Sequence, residues 1–193
     1  RSVFFLDSLN GWIVGSSIGL VSKTTNGGIN WSINFRYDNY PLLDVYFIDN
    51  QTGWVGGTYA IFKTTNGGTN WNNQISSNDV VYGFSFINSQ TGWAGAHNYV
   101  LKTTNGGGAW VRGAQISNFD AIFDVKFLNQ FTGYGILDEG YIMKTTNGGA
   151  NWGIGQFQTI FYGLDFLNID TGYVVGRWGR IHKTVTGGAT LIS

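Results

Sequence analysis

Side chains with catalytic potential are scarce in this sequence of 193 residues. It contains a single glutamate, Glu139, and two histidines, His97 and His182, that belong to different parts of the chain. Hydrolysis of a glycosidic bond uses a pair of carboxyl groups, and a metal site or a Ser-His-Asp triad needs several such side chains in one place. Because no cluster of this kind is recognisable, we expect no catalytic residue, no metal ion and no cofactor.

A second set of side chains is better suited to binding than to catalysis, because it combines arginine with aromatic and acidic residues. These residues fall in stretches that vary along the chain, which we interpret as loops on a rigid scaffold, where binding residues tend to lie. Ordinary polar loops are the alternative. The candidates for this binding rim are Arg36, Tyr37, Tyr40, Tyr59, His97, Tyr99, Asp138, Glu139, Arg177, Trp178 and Arg180.

The scaffold is indicated by a hexapeptide, Lys-Thr-Thr-Asn-Gly-Gly, that recurs along the whole chain. It begins at Lys23, Lys63, Lys102 and Lys144, and a degenerate copy begins at Lys183. Successive copies are 40, 39, 42 and 39 residues apart. A nearly fixed period in this range is typical of solenoids, propellers and other repeat arrays.

Each repeat has the pattern of four short strands. An apolar strand ends in an Asx residue such as Asp49 and is followed by a glycine such as Gly53, which predicts a hairpin turn in which the glycine has a positive φ. An aromatic residue opens the second strand, the third strand runs into the hexapeptide, and a tryptophan opens the fourth. We therefore predict an all-β protein, a single β-propeller domain of four-stranded antiparallel blades. The blades are expected at about 1–41, 42–80, 81–121, 122–160 and 161–193.

The last repeat lacks the closing tryptophan, as terminal repeats often depart from a pattern. The chain starts at an innermost strand and stops at an outermost one, so we expect five whole blades. Two arrangements are open, a five-bladed ring closed by packing of faces or a part of a larger propeller. We favour the ring.

The stretch from Thr24 to Trp31 resembles the Asp-box of the bacterial neuraminidase (BNR) repeats. The fuller pattern is most similar to repeats of the photosystem II stability and assembly factor family, which also occur in secreted bacterial proteins. The resemblance implies a hairpin locked between the third and fourth strands, with asparagine where the family usually has aspartate. The Thr and Asn side chains can accept hydrogen bonds from backbone N–H groups. The tryptophans are expected to cover the hairpins and to form a major part of the core. The structural box comprises Thr24, Asn26, Gly28, Trp31, Asn66, Trp71, Asn105, Trp110, Asn147 and Trp152.

One position of the inner strands varies while its neighbours are apolar, so we expect it to face the central channel. Tyr46, Ser85, Lys126 and Asp165 occupy it in the later repeats, and Phe4 does so in the first. We interpret Lys126 and Asp165 as a solvated or ion-paired lining, with a catalytic pair as the alternative.

The composition argues against several classes of partner. Eleven basic and eleven acidic residues cancel and form no run, which argues against nucleic acid. No apolar stretch approaches the roughly 20 residues that span a bilayer, so we expect no membrane insertion. Cysteine is absent, which excludes disulfides.

Three functions remain open. The first is a non-enzymatic module for protein interaction or self-assembly in a secreted or surface-exposed bacterial protein, or in the periplasm. The second is a glycan-binding propeller, because exposed aromatic side chains could stack on sugars. The third is a sialidase-type glycoside hydrolase, which has the least support because a sialidase needs an arginine cluster and further acidic residues, and the Asp-box itself carries no catalytic residue in that family.

Overall fold

The computed structural model describes residues 1–15, 17–116, 121–157 and 159–187. The chain folds into five antiparallel sheets that follow one another in sequence. The only helical elements in these ranges are two short 3-10 turns, η1 (Asp138–Gly140) and η2 (Arg177–Gly179). The prediction of an all-β chain built from repeated antiparallel sheets is therefore confirmed.

Each sheet corresponds to one repeat, and neighbouring sheets meet at their first strands. The first sheet contains β1 (Ser2–Phe5), β2 (Gly11–Val14), β3 (Leu20–Thr24) and β4 (Ser32–Arg36). The second contains β5 (Leu42–Phe47), β6 (Gly53–Thr64) and β7 (Asn72–Val80). The third contains β8 (Gly83–Phe86), β9 (Gly92–Gly95), β10 (Val100–Thr103) and β11 (Val111–Arg112). The fourth contains β12 (Ile122–Phe127), β13 (Gly133–Leu137), β14 (Tyr141–Thr145) and β15 (Gly153–Gln156). The fifth contains β16 (Phe161–Phe166), β17 (Gly172–Gly176) and β18 (Ile181–Thr184).

The long strand β6 is a hairpin rather than a straight element. The Nζ atom of Lys63 lies 5.4 Å from the ring centre of Trp54, whereas nine residues of straight strand would separate them by about 30 Å. The chain reverses near Tyr59, which has a φ of 66°. The second blade therefore has the predicted second and third strands. The outermost strand of the fifth blade was expected at residues 189–193, which lie outside the described residues.

Blades are joined by an aromatic stack that recurs along the chain. The aromatic residue that follows each turn lies against the phenylalanine of the next blade's first strand, with nearly parallel rings. The ring centres are 3.6 Å apart for Trp12 and Phe47, 3.8 Å for Trp54 and Phe86, 3.7 Å for Trp93 and Phe127, and 3.6 Å for Tyr134 and Phe166. Such pairs add to the stabilisation that comes from buried area alone.

The hexapeptide lysine covers the other face of each stack. Lys23 Nζ lies 5.0 Å from the ring centre of Trp12 and donates a hydrogen bond of 3.0 Å to the carbonyl oxygen of Gly67 in the next blade. The Nε1 atom of Trp12 donates to the same oxygen. The lysine therefore combines a cation–π contact with a hydrogen bond across the blade boundary.

The fully buried indoles are those of Trp12, Trp54 and Trp93, and this differs from the expectation for the box tryptophans. Trp31 is 37% exposed, and the other box tryptophans are half-buried. Trp31 covers its own hairpin at the edge of the first blade, and its Nε1 atom donates to the carbonyl oxygen of Gly28. Trp71, Trp110 and Trp152 pack against the apolar clusters, as expected, but are only partly buried. The fully buried tryptophan of each interface is the one that the next blade covers.

The turn glycines were predicted to have a positive φ, but the structure shows a different reason for glycine at these positions. Gly53 and Gly133 are not among the residues with positive φ. A Cβ atom at either position would lie 2.6 Å from ring carbons of Phe47 or Phe127, respectively. Glycine is required here because the stacked phenylalanine lies directly against the backbone. Most of the glycines with a positive φ lie in the boxes, for example Gly27 and Gly28.

Within the described residues, the five blades form an arc that is not closed. Four apolar clusters join successive blades, and among the described residues none joins the fifth blade to the first. Phe5 is 44% exposed and Tyr173 is 39% exposed, although they occupy the positions that stack in the other interfaces. Closure into a five-bladed ring therefore stays a prediction. None of the described helical segments is long and apolar enough to cross a membrane.

We expect Trp93→Ala to lower the free energy of unfolding by about 3 to 5 kcal/mol, because it removes a buried indole from the blade interface. Trp31→Ala should cost clearly less, since that indole is partly exposed. Urea unfolding followed by circular dichroism measures both losses. Equal losses in the two variants would contradict the core described above.

We expect Gly133→Ala to destabilise the fold by about 1 to 3 kcal/mol, because the new methyl group would displace the ring of Phe127. Gly15→Ala is the matched control, since no atom lies within 4 Å of a Cβ built there. Thermal melting of the two variants would test this. A melting temperature for Gly133→Ala that equals that of the control would show that the contact does not require glycine.

Candidate functional site

The tips of the hairpins between the second and third strands present side chains from a strained backbone. Tyr59, Glu139 and Trp178 lie at these tips with φ values of 66°, 57° and 59°. A bulky residue in this left-handed region is unusual, and strain of this kind costs on the order of 1 kcal/mol or more and is concentrated at functional sites. The tips are at the end of the blades opposite to the boxes, because the boxes connect the third and fourth strands.

Trp178 is the most exposed aromatic side chain of this rim, at 76%. The guanidinium carbons of Arg177 and Arg180 lie 5.2 Å and 5.6 Å from its ring centre. The ion pairs found in the described ranges use Arg36, Arg112 and Lys126, so neither guanidinium beside Trp178 has a carboxylate partner there. The group offers an apolar plane flanked by two available positive charges.

A second group on the rim is formed by three tyrosines. The ring of Tyr40 lies 5.5 Å from that of Tyr37 and 5.2 Å from that of Tyr59. Arg36 forms an exposed ion pair of 3.8 Å with Asp38 beside them. Tyr40 and Tyr59 remain about two-fifths exposed, at 38% and 40%.

The structure places Tyr99 differently from the other candidates of the rim. Its side chain is buried, and Arg112 lies 4.8 Å from its ring centre. Arg112 also forms an ion pair of 2.7 Å with Asp79. Burial, together with the nearby carboxylate of Asp79, raises the pKa of Tyr99. Tyr99 is therefore a packing residue, whereas His97 in the same loop is exposed.

The remaining acidic candidates lie in η1. Glu139 is exposed and Asp138 is half-buried. The rim candidates thus fall into separate groups on different blades rather than one continuous site. No group of three or more His, Cys, Asp or Glu side chains within the described ranges could hold a metal ion.

The variable position of the inner strands lines a central cavity of about 590 Å3. Lys126 Nζ and Asp165 Oδ1 form an ion pair of 2.7 Å between the fourth and fifth blades. The hydroxyl of Tyr46 donates to the carbonyl oxygen of Phe86, and Ser85 Oγ accepts the backbone N–H of Phe127. These side chains connect neighbouring blades along the channel.

Two further carboxyl groups line the same cavity. Asp44 accepts hydrogen bonds from the hydroxyl of Ser2 and from the backbone N–H of Phe84. Asp124 accepts the backbone N–H of Leu164 at 3.1 Å. Each carboxyl group therefore links its own blade to the following one. Both lie near the start of an inner strand that is otherwise mostly apolar. A carboxyl group in such a stretch is the sequence signal that could have identified them.

Comparison with known proteins identifies the repeat. Residues 33–119 match the model of the photosynthesis system II assembly factor YCF48 family. The match begins within β4 and includes β11, so it covers the regular hexapeptides of the second and third blades. These are BNR-type propeller repeats. They are related to the repeats of that assembly factor. No significant match was found among the curated proteins.

Solved structures share the fold of these BNR repeats. A structure described as YCF48 bound to D1 peptide has a TM-score of 0.61 and 17% identity, covering 98% of this chain and 79% of that one. YCF48 from Cyanidioschyzon merolae has a TM-score of 0.72 and 18% identity, covering 95% of this chain and 66% of that one. An ancestral GH74 enzyme has a TM-score of 0.76 and 20% identity, covering 99% of this chain but 30% of the enzyme. At these identities the likeness concerns the fold alone.

The two carboxyl groups that line the channel, those of Asp44 and Asp124, have raised pKa values. Burial raises the pKa of Asp44 to about 6, against the opposing effect of its hydrogen bonds from Ser2 and Phe84. Burial also raises the pKa of Asp124 to about 7, and the nearby charge of Asp44 acts in the same direction. Displaced pKa values mark candidate functional groups. However, backbone N–H groups of the next blade already donate hydrogen bonds to both carboxyl groups.

A carboxyl group with a higher pKa in the folded than in the unfolded state holds its proton more tightly in the folded state. Its contribution to stability is complete below about pH 4, the unfolded value, and is lost as the pH rises through 6 to 7. We therefore expect the free energy of unfolding to fall between pH 4 and 7. In Asp124→Asn, which cannot ionise, this fall should be smaller.

Urea unfolding at a series of pH values measures this effect. Asp38→Asn is the control, because Asp38 is an exposed carboxylate of the rim. The same pH dependence in Asp124→Asn and in the parent would contradict the assignment of Asp124 as a group that titrates with folding.

Proposed function

We propose that this chain is a protein-binding propeller module that acts by recognition and not by catalysis. The observation that carries the proposal is the exposed Trp178, held at a strained hairpin tip between Arg177 and Arg180. Exposed tryptophan and arginine are the residue types that dominate binding energy in protein interfaces. The relation of the repeats to the assembly factor YCF48, one structure of which is described as bound to a peptide, supports the same function.

The chemistry of the group indicates which partners it would prefer. Two guanidinium groups without carboxylate partners in the described ranges favour an acidic segment, because arginine binds carboxylates through paired, charge-assisted hydrogen bonds. The indole between them adds an apolar contact. We therefore expect a partner segment that carries at least one Asp, Glu or terminal carboxylate.

A non-catalytic role is part of the proposal. The chain has one glutamate, exposed in η1, and the channel carboxyl groups are engaged by the backbone of neighbouring blades. We also infer that the module belongs to a secreted or surface-exposed bacterial protein, which the resemblance to repeats of such proteins supports. Fractionation of the source cells with an antibody against the chain would test that placement.

A carbohydrate-binding function is the second candidate, because the exposed faces of Trp178, Tyr40 and Tyr59 could stack on sugar rings. A glycan array distinguishes it from protein binding. Saturable binding of a glycan that Trp178→Ala abolishes would favour the lectin and overturn the protein-binding proposal if no peptide is bound by the same group.

Selection of displayed random linear peptides against the chain tests the proposed function. We expect the selected peptides to be rich in acidic residues and to lose at least tenfold in affinity for Trp178→Ala and for the double variant Arg177→Ala, Arg180→Ala. Ile29→Ala is the matched control, since Ile29 is 80% exposed but lies at the box end of its blade. Peptides that bind the rim variants as tightly as the parent would contradict the proposal.

A further inference from the structure

Two grooves lie at equivalent places between neighbouring blades. The groove between the third and fourth blades has a volume of about 430 Å3, and the groove between the fourth and fifth has about 470 Å3. Both are lined by the stacking aromatic residue, the apolar residue of the third strand, the hexapeptide lysine and a box glycine of the next blade. These are Trp93, Val100, Lys102 and Gly148 in one groove and Tyr134, Ile142, Lys144 and Gly187 in the other.

The first two blades fill the corresponding place with their own side chains. A bulge in the pairing of β3 with β4 sets Phe35 opposite Val21. The second blade has a similar shift, which sets Ile75 opposite Ile61. Phe35 packs against the apolar cluster of its blade interface, 4.9 Å from the ring of Phe62. Ile75 packs against the next cluster in the same way.

The third and fourth blades have glycine at this place. The pairing of β14 with β15 is regular and sets Gly155 opposite Ile142. In the third blade the backbone N–H of Gly113 donates to the carbonyl oxygen of Val100. Gly113 and Gly155 each line one groove. Each groove is therefore the space that a large apolar side chain occupies in the first two blades.

We propose that these two grooves bind large apolar side chains, aromatic or aliphatic, of an extended segment of a partner protein. This inference rests on the proposed function and names a second contact for the same kind of partner. The volumes are within the range of about 300 to 1,000 Å3 that is usual for ligand sites. The fit of Phe35 in the first interface shows which class of side chain such walls accept.

Two features favour a peptide over a small apolar molecule. The grooves run beside β11 and β15, which are edge strands of their sheets, and an extended peptide can pair with an edge strand while its side chains enter pockets. The lysines that line the grooves also form longer hydrogen bonds to the next blade. Their Nζ atoms lie 3.5 and 3.3 Å from the glycine carbonyl oxygens, compared with 3.0 and 2.7 Å in the filled interfaces. They retain donors for a carbonyl or carboxylate of the partner.

The variant Gly155→Phe provides the sharpest test, because it gives the fourth blade the side chain that the first blade has. A Cβ atom at Gly155 would lie 3.7 Å from Phe157, an ordinary contact, so we expect the variant to fold and to melt no lower than the parent. The probes are N-acetyl-phenylalanine amide and, as a control, N-acetyl-glycine amide. Binding is followed by the 1H–15N resonances of Gly113, Gly155 and Gly187.

The phenylalanine probe should shift the Gly113, Gly155 and Gly187 resonances saturably in the parent, whereas the glycine probe should not. In Gly155→Phe the response at Gly187 should weaken at least tenfold and the response at Gly113 should persist. In Phe35→Gly, the phenylalanine probe should cause saturable shifts of backbone resonances at the interface between the first and second blades as well. Absence of saturable shifts in the parent, or an unchanged response at Gly187 in Gly155→Phe, would overturn the proposal.

Peptides selected against the parent separate this inference from the proposed function. If Trp178→Ala weakens them and Gly155→Phe does not, the grooves are not part of the site and the protein-binding function stands. Loss in both variants supports the grooves. Self-association of the parent that Gly155→Phe abolishes would show that a second copy of the chain fills the grooves, which would overturn the assignment to a partner protein.

Discussion

The contact on which this structure depends is the stack of an aromatic ring against the phenylalanine of the next blade, with a lysine on the opposite face. In the first interface Lys23, Trp12 and Phe47 form this column. A single repeat cannot bury its hydrophobic face alone, and in repeat proteins the neighbouring repeats supply the missing contacts. Since the column crosses the blade boundary, each blade completes the core of the one before it. The exposure of Phe5 and Tyr173 follows directly, because each lacks the neighbour that would cover it.

This arrangement explains why the repeats are alike in some places and different in others. The lysine, the aromatic residue, the turn glycine and the phenylalanine must all be present for the column to form, and the glycine must lack a Cβ because the ring lies against it. The hairpin tips take no part in the column. Bulky residues such as Trp178 can therefore occupy strained positions there, since the rigid sheets on either side hold the backbone in place.

Much of the architecture could be predicted from the sequence, because the period of the hexapeptide and the strand pattern are local signals. Other features depend on the neighbouring blade and could not. Trp31 and Trp93 look equivalent as tryptophans, but one lies at a blade edge and the other beneath the next blade. The two uses of glycine, positive φ in Gly28 and close approach of a ring in Gly133, are also indistinguishable by residue type. Asp44 stabilises a neighbour 40 residues away, so its role appears only when the sheets are assembled.

The candidate sites show the same limit. Arginine and aromatic residues in variable loops identified Trp178 and its flanking arginines, but Tyr99 met the same criteria and is buried. The grooves were beyond sequence reasoning, because a missing side chain is visible only in the correct strand register. Phe35 fills the equivalent place in the first blade because of a bulge between β3 and β4. Only the strand register identifies Gly155 as its counterpart in the fourth blade. The columns are complete in the third and fourth blades, so glycine at this place leaves the scaffold intact and the groove open.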